Sequence, residues 1–192
     1  MKLFKLFVAS VICISYRAAN AETPVTIAEL QGAIIRTRVL AQQEGLHNGL
    51  PFRNTAETNL SITINSPSSL TATAVDTAHN PRGDRSSPSR SGTFILGKPR
   101  EVQGPLSGHR LWIFEDGKLT TLGTFQGGGF RTTISFSRGT DGLHCVIHSA
   151  LAHESGVDGW RWVSPVTGET IQMKTRTPIE SSCTVTGGQS RP

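Results

Sequence analysis

Apolar and polar residues alternate with a period of two through most of the chain. In NLSITINS (59–66), Leu60, Ile62 and Ile64 fall on one face, and Ser61, Thr63 and Asn65 on the other. That is the pattern of a half-buried strand. AIIRTRVL (33–40) is rich in β-branched residues, and LTATAV (70–75) and GTFILGK (92–98) read as further strands. The helical signal is short. In TIAELQ (26–31), Thr26 and Glu29 have capping-box spacing, and Gly32 follows as a stop. One turn of helix is expected there.

Two hairpins are specified more closely. In HRLWIFEDGKLTTLGTF (109–125), Asp116-Gly117 suits a two-residue type I′ turn. That turn pairs Glu115 with Lys118, Phe114 with Leu119 and Leu111 with Leu122. Trp112 and Phe114 share one face, Leu111 and Ile113 the other, so a central position is expected. FRTTISFSR (130–138) and LHCVIHSAL (143–151) form the second pair. A one-residue slip would exchange the faces of a strand. The register that buries most apolar surface sets Phe136 opposite Cys145, Ile134 opposite Ile147 and Phe130 opposite Leu151. Cys145 then points inward. His144 and His148 point outward, opposite Ser137 and Thr133. In IESSCTVT (179–186), Ile179, Cys183 and Val185 share a face. Trp160 and Trp162 lie on one side of GWRWVSPVTGET (159–170), with Arg161 on the other.

Residues 78–91, AHNPRGDRSSPSRS, are rich in Pro, Gly and Ser and predict a mobile loop. Their Arg82-Gly83-Asp84 tripeptide is common in polar loops by chance. QGGG (126–129) joins strand to strand without a following GK[ST], so a turn is expected and not a phosphate cradle. Together these elements predict an all-β fold: one domain over 22–192, with eight to ten antiparallel strands and one short N-terminal helix. The strands would form a barrel or a sandwich.

The first 21 residues change the picture of composition. Lys2 and Lys5 precede the apolar run LFVASVICISY, and Ala19-Asn20-Ala21 offers small residues for cleavage before Glu22. This is the layout of a secretory signal. The expected destination is the periplasm or the exterior. No later segment is long and apolar enough to span a bilayer as a helix. The full chain carries 19 Lys and Arg against 14 Asp and Glu. Removing the leader takes away Lys2, Lys5 and Arg17 and no acidic residue. The remaining excess is too small and scattered to indicate nucleic acid. A local excess persists at Arg82, Arg85, Arg90, Lys98, Arg100 and Arg110, against Asp84 and Glu101. It reads as a solvated loop with its flanks. The leader also removes Cys13, leaving Cys145 and Cys183, which in an oxidising compartment predict one disulfide.

Candidate chemistry centres on GLHCVIHSALAH (142–153), with His144, Cys145, His148 and His153. On a strand, an i,i+4 pair of histidines stands ~13 Å apart, too far to share one zinc. His153-Glu154 begins like HExxH, but Val157 occupies the position of the second His. An inward Cys145 beside Ile147 is unlike a catalytic thiolate. No G-x-S-x-G elbow is present. No catalytic residue, metal site or cofactor is expected. A metal-dependent hydrolase using His144, His148 and His153 is the alternative.

The pattern WIFEDGKL…GGF…TISFSRG…GLHCVI…SSCTV, together with LQGAIIRTRV, resembles a group of small exported proteins of Gram-negative bacteria. That resemblance implies export and paired cysteines, and it carries no catalytic residue across. The short helix, Gly32 and the following meander are similar to lipocalin-like barrels, although Ile34 stands where their G-x-W opening has tryptophan. A closed barrel of this size can hold one small ligand. The expected function is therefore that of an exported, non-enzymatic protein binding a small apolar ligand, with Trp112, Phe114, Trp160 and Trp162 as wall residues. The second reading is an envelope or surface protein that meets a protein partner through its basic 78–100 segment.

Overall fold

The computed structural model describes residues 23–79, 84–87, 89–102, 108–125, 128–153, 160–163 and 168–188. Twelve strands are present among them: β1 (Ile34–His47), β2 (Leu50–Ser66), β3 (Ser69–His79), β4 (Arg85–Ser86), β5 (Arg90–Ile95), β6 (Arg100–Val102), β7 (Gly108–Glu115), β8 (Lys118–Phe125), β9 (Gly128–Gly139), β10 (Gly142–His153), β11 (Trp160–Val163) and β12 (Thr170–Thr186). All pairs are antiparallel. They form a seven-stranded sheet in the order β11-β12-β1-β2-β3-β4, with β5 also on β3, and a five-stranded sheet in the order β10-β9-β8-β7-β6. The two sheets do not close into a barrel, and a sandwich fits the arrangement. The count exceeds the expected eight to ten because β4, β6 and β11 are too short to leave a periodic pattern.

Both hairpins have the expected register. Asp116 and Gly117 have φ of 48° and 68°, and Glu115 opposes Lys118, Phe114 Leu119 and Leu111 Leu122. Neither β7 nor β8 is an edge strand. Cys145 opposes Phe136, Ile147 Ile134, His144 Ser137 and His148 Thr133. Part of the expected loop 78–91 is strand. Ala78 and His79 continue β3, Thr77 and Ala78 pair with Ser86 and Arg85, and Arg90 starts β5.

The core collects one face of each sheet. Ile35, Ile62, Ile64 and Leu70 from the larger sheet meet Leu119 and Ile134 from the smaller, all fully buried. Each such side chain contributes about 1.5–3 kcal/mol relative to exposure. Phe94 and Trp112 pack at 6.1 Å between ring centroids, and Phe114 and Phe136 at 6.3 Å. Ile179 departs from its expected face and is 60 % exposed. The β1–β12 register shifts between Leu40 and Ala41, skipping Ile179, and the side chains from there to a second shift between Glu44 and Gly45 exchange faces.

Thr26–Gln31 forms turns and no helix, which corrects the expected helical element. Leu30 N donates to Ile27 O and Gln31 N to Ala28 O, and then Gly32 N leaves to bond Ile64 O in the sheet. So short a segment does not repay helix nucleation by itself. The capping box is nevertheless made: Thr26 N and Thr26 Oγ1 each donate to Glu29 Oε2 at 2.8 Å. Val25, Leu30 and Ala33 are buried and close this end of the core. Arg138 reaches Glu29 with Nη2 at 2.8 Å from both carboxylate oxygens.

The Thr26 backbone N–H, then Arg138, holds the Glu29 carboxyl down from 4.5 to about 2. A depressed carboxylate stabilises above its unfolded value and loses that contribution as pH falls toward the folded one. Glu29→Gln is therefore expected to lower stability at pH 7 by about 1–2 kcal/mol, after allowance for partial solvent access. Between pH 4.5 and pH 2 the difference from wild type should vanish. Urea melts across that range test this, and a constant difference would refute it.

Candidate functional site

The inner faces of the strands change character along their length. From the end closed by Leu30, β2 presents Ile64, Ile62 and Leu60, and then Thr58, Ala56 and Asn54. In β3 the series Leu70, Ala72 and Ala74 gives way to Asp76 and Ala78. In β7, Phe114 and Trp112 give way to Arg110. Apolar packing thus stops partway, and charged groups take over the same inward positions.

Five side chains form the polar end. Thr58 Oγ1 donates to Asp76 Oδ1 at 2.6 Å, and Arg176 Nη2 donates to Thr58 Oγ1 at 2.8 Å. Arg90 from β5 is ion-paired with Asp76 Oδ2. The main chain of Asp76 is held by Ser87, whose Oγ accepts from Asp76 N at 3.0 Å and whose N donates to Asp76 O at 2.7 Å. Arg110 comes from the opposite sheet, its guanidinium 4.1 Å from the centre of the Phe130 ring. Gly123 lies between Arg110 and Phe130 in the register, and a Cβ there would collide with both side chains. The missing side chain is what lets the cation lie on the ring.

Arg176 owes its place to the bulge that turns out Ile179. Beyond it Pro178 opposes Ala41 and Arg176 opposes Gln43, so Arg176 turns inward. Ala41, Ala56 and Ala78 line up across β1, β2 and β3. This row of small residues leaves room for a long side chain to reach Thr58.

Burial, and then the charge of Arg90, pushes the Arg110 guanidinium down to about 10, and Asp76 opposes the shift. Burial also lowers Arg176, again opposed by Asp76. Asp76 is thus paired with Arg90, linked through Thr58 to Arg176, and acts electrostatically on Arg110. Two buried polar atoms nearby on the inner faces lack a hydrogen-bond partner: Trp112 Nε1, two residues from Arg110 on the same face, and Asn54 Oδ1, in the cross-strand row of Arg176.

The other expected site residues fall outside the five side chains of this cluster. Cys145 and Cys183 form the disulfide, with 5.6 Å between their Cα atoms. Trp112 is 4 % exposed, and with Phe114 it is committed to core packing. Trp160 and Trp162 oppose Met173 and Ile171 in the β11–β12 ladder, but their side chains lie outside the described residues. His144 is exposed, with Nε2 2.7 Å from Asp141 Oδ1, and His148 is exposed on the same outer face. The His153 side chain lies outside the described residues, and among those described no three His, Cys, Asp or Glu are placed to hold a metal. Of the basic 78–100 segment and its flanks, Arg82 lies outside the described residues. Lys98 is exposed, and Arg100 lies 5.3 Å over the Phe94 ring. Arg90 and Arg110 depart from the solvated reading, because both belong to the inner cluster. An open groove of about 520 Å³ lies farther along β1, β2 and β12, lined by Glu44, Phe52, Arg53 and Lys174 among others. Its Arg53 is paired with Glu44 at 3.2 Å.

Sequence reasoning missed Thr58, Asp76 and Arg176. Alternation alone points the first two inward, since Thr58 follows the parity of Leu60 and Ile62, and Asp76 that of Ala72 and Ala74. Arg176 carries no such signal, because the bulge reverses its parity. No family model matches the chain, and no curated protein and no solved structure matches it, so functional assignment rests on the geometry of this cluster.

Proposed function

We propose that this chain is an exported, non-enzymatic binding protein, with its ligand site at the polar end of the space between the two sheets. The observation that carries this reading is the change of inner-face character at Thr58, Asp76 and Arg110. Apolar residues there would stabilise the sandwich more, because half-buried charges lose hydration that their mutual attraction does not fully return. Charges kept at such a cost suit recognition of a polar ligand. Trp112 and Phe114 are used in packing, which moves the ligand from the apolar interior to this end. Export is supported by the Cys145–Cys183 bridge, which persists in oxidising compartments. It is also compatible with the absence, among the described residues, of a helix long and apolar enough to cross a membrane.

Expression with the native leader, followed by osmotic shock and native mass spectrometry, tests both parts. The expected outcome is a shock-released chain beginning at Glu22, carrying a small molecule that Arg176→Met no longer retains. A cytoplasmic chain would remove the export reading. A chain that stays bare, and whose Tm no small polar compound shifts, would remove the binding reading.

A further inference from the structure

The geometry points to a second binding site, in the open groove on β1, β2 and β12, for a small monocarboxylate with an apolar body. The site goes beyond the polar-end reading and uses none of the side chains of that cluster. Phe52, Leu46 and Pro51 supply the apolar surface of the groove, and Lys174, Arg53 and Glu44 its charges. Its volume of about 520 Å³ is in the range of small-molecule sites. Two features of the chain shape it. Gly45 opposes Phe52 on β2 and Met173 on β12, and a Cβ there would collide with Gln172 O and with the Phe52 ring. The floor therefore carries no side chain. The β1–β12 register then shifts between Glu44 and Gly45 and leaves Lys174 as the extra residue. A bulge re-aims side chains, and Lys174 lines the groove. The end of the groove is held by the turn between β1 and β2. Asn48 N donates to Thr170 O at 2.8 Å, and Thr170 N donates to Asn48 Oδ1 at 2.8 Å.

The charges of the groove do not cancel. Glu44 Oε1 is 3.2 Å from Arg53 Nε and accepts from Gln42 Nε2 at 3.0 Å. Among the described residues, Lys174 has neither an ion-pair nor a hydrogen-bond partner. Two cations against one carboxylate leave one positive charge, which a monoanion cancels. A cationic ligand would find only a carboxylate that is already engaged. A neutral ligand would gain the apolar contacts alone. Thr175 lies in the cross-strand row of Glu44 and Arg53 and adds a hydroxyl to the lining. Burial of the ligand body against Phe52, Leu46 and Pro51 supplies affinity, and the Lys174 ammonium fixes which end carries the charge.

The test is equilibrium dialysis of the mature, oxidised protein. The probes are 2-naphthoate and octanoate, each against its own amide, which keeps the body and removes the charge. Saturable binding of one carboxylate per chain is expected. The matching amide should bind roughly fivefold to tenfold more weakly, the size of one charge-assisted contact at a part-exposed site. Lys174→Gln should remove that difference, by weakening the carboxylate and leaving the amide unchanged. Phe52→Ala should weaken acid and amide alike. Lys98→Gln, which removes an exposed lysine from outside the groove, should change neither. If Phe52→Ala does not fold, Lys174→Gln decides the matter, because Lys174 is exposed. Binding of 2-naphthoate alone identifies an aromatic body and of octanoate alone an acyl chain, and either supports the inference. The inference is overturned if neither carboxylate binds saturably at millimolar concentration. It is equally overturned if each amide binds as tightly as its acid, or if Lys174→Gln binds like wild type. None of these outcomes touches the polar-end reading, which is decided by what Arg176→Met retains.

Discussion

The double variant Cys145→Ala/Cys183→Ala is expected to lose about 2–4 kcal/mol of stability, and its Tm should fall by roughly 5–15 °C. The reason lies in how the two sheets are joined. On one side the chain passes from β5 to β6 through four residues, Leu96–Pro99, and Gly97 N donates to Trp112 O at 2.7 Å. That side is tied by the backbone. On the other side β10 and the outer part of β12 are both edges, because β11 pairs β12 only over Thr170–Met173. Apolar cover at this seam is thin. Leu143 and Val185 are half-buried, Ser181, Ser182 and Thr184 are exposed, and Val146 is 56 % exposed. The bridge supplies what packing does not. Its partners are 38 residues apart, and chain-entropy reasoning gives roughly 4 kcal/mol as the upper figure for such a loop. Thermal melts of the oxidised protein, the reduced protein and the variant should show the last two agreeing. Thiol titration of the native protein should find neither Cys145 nor Cys183 reactive. A variant within 2 °C of wild type would mean that the seam holds without the bridge.

Much of the fold follows from local rules that the chain obeys over long runs. The β9–β10 register is set by Phe136, Ile134 and Phe130, which find the apolar partners Cys145, Ile147 and Leu151 in one alignment and not in its neighbour. Asp116-Gly117 sets the β7–β8 turn, because few other dipeptides adopt two successive left-handed conformations. Closure is a different kind of property. Whether edges pair into a barrel depends on hydrogen bonds between strands distant in the chain, and alternation does not encode them. The inner cluster was half visible. Arg110 shares the parity of Trp112 and Phe114, and Asp76 that of Leu70 and Ala72. A charged residue inside an apolar series is nevertheless read as exposed when hydropathy and local charge are weighed together. Arg90 and Arg110 were absorbed in that way into a basic surface segment. Arg176 was out of reach for another reason: one extra residue at the β12 bulge, Ile179, reverses the side chains from there to a second shift at Lys174, and nothing in IQMKTRTPIE marks either place.

The cluster makes its own prediction about Asp76. Asp76→Asn keeps the size of the side chain and an oxygen that accepts from Thr58, and it removes the negative charge from among Arg90, Arg110 and Arg176. At low ionic strength the variant is expected to be about 2–3 kcal/mol less stable, with Tm lower by roughly 4–12 °C. The figure sits below that for a fully buried broken pair, because both Asp76 and Arg90 are more than one third exposed. Asp84→Asn, whose carboxylate is exposed beside His79 at 3.0 Å, should change little and serves as the control. The sign of a second substitution separates charge imbalance from simple loss of a hydrogen bond. In wild type, Arg90→Met removes a paired cation and should destabilise. In the Asp76→Asn background the same change removes one of three mutually repelling cations and should stabilise, restoring part of the loss. If Asp76→Asn is as stable as wild type at low salt, or if Arg90→Met destabilises both backgrounds equally, the three guanidiniums do not act on one another.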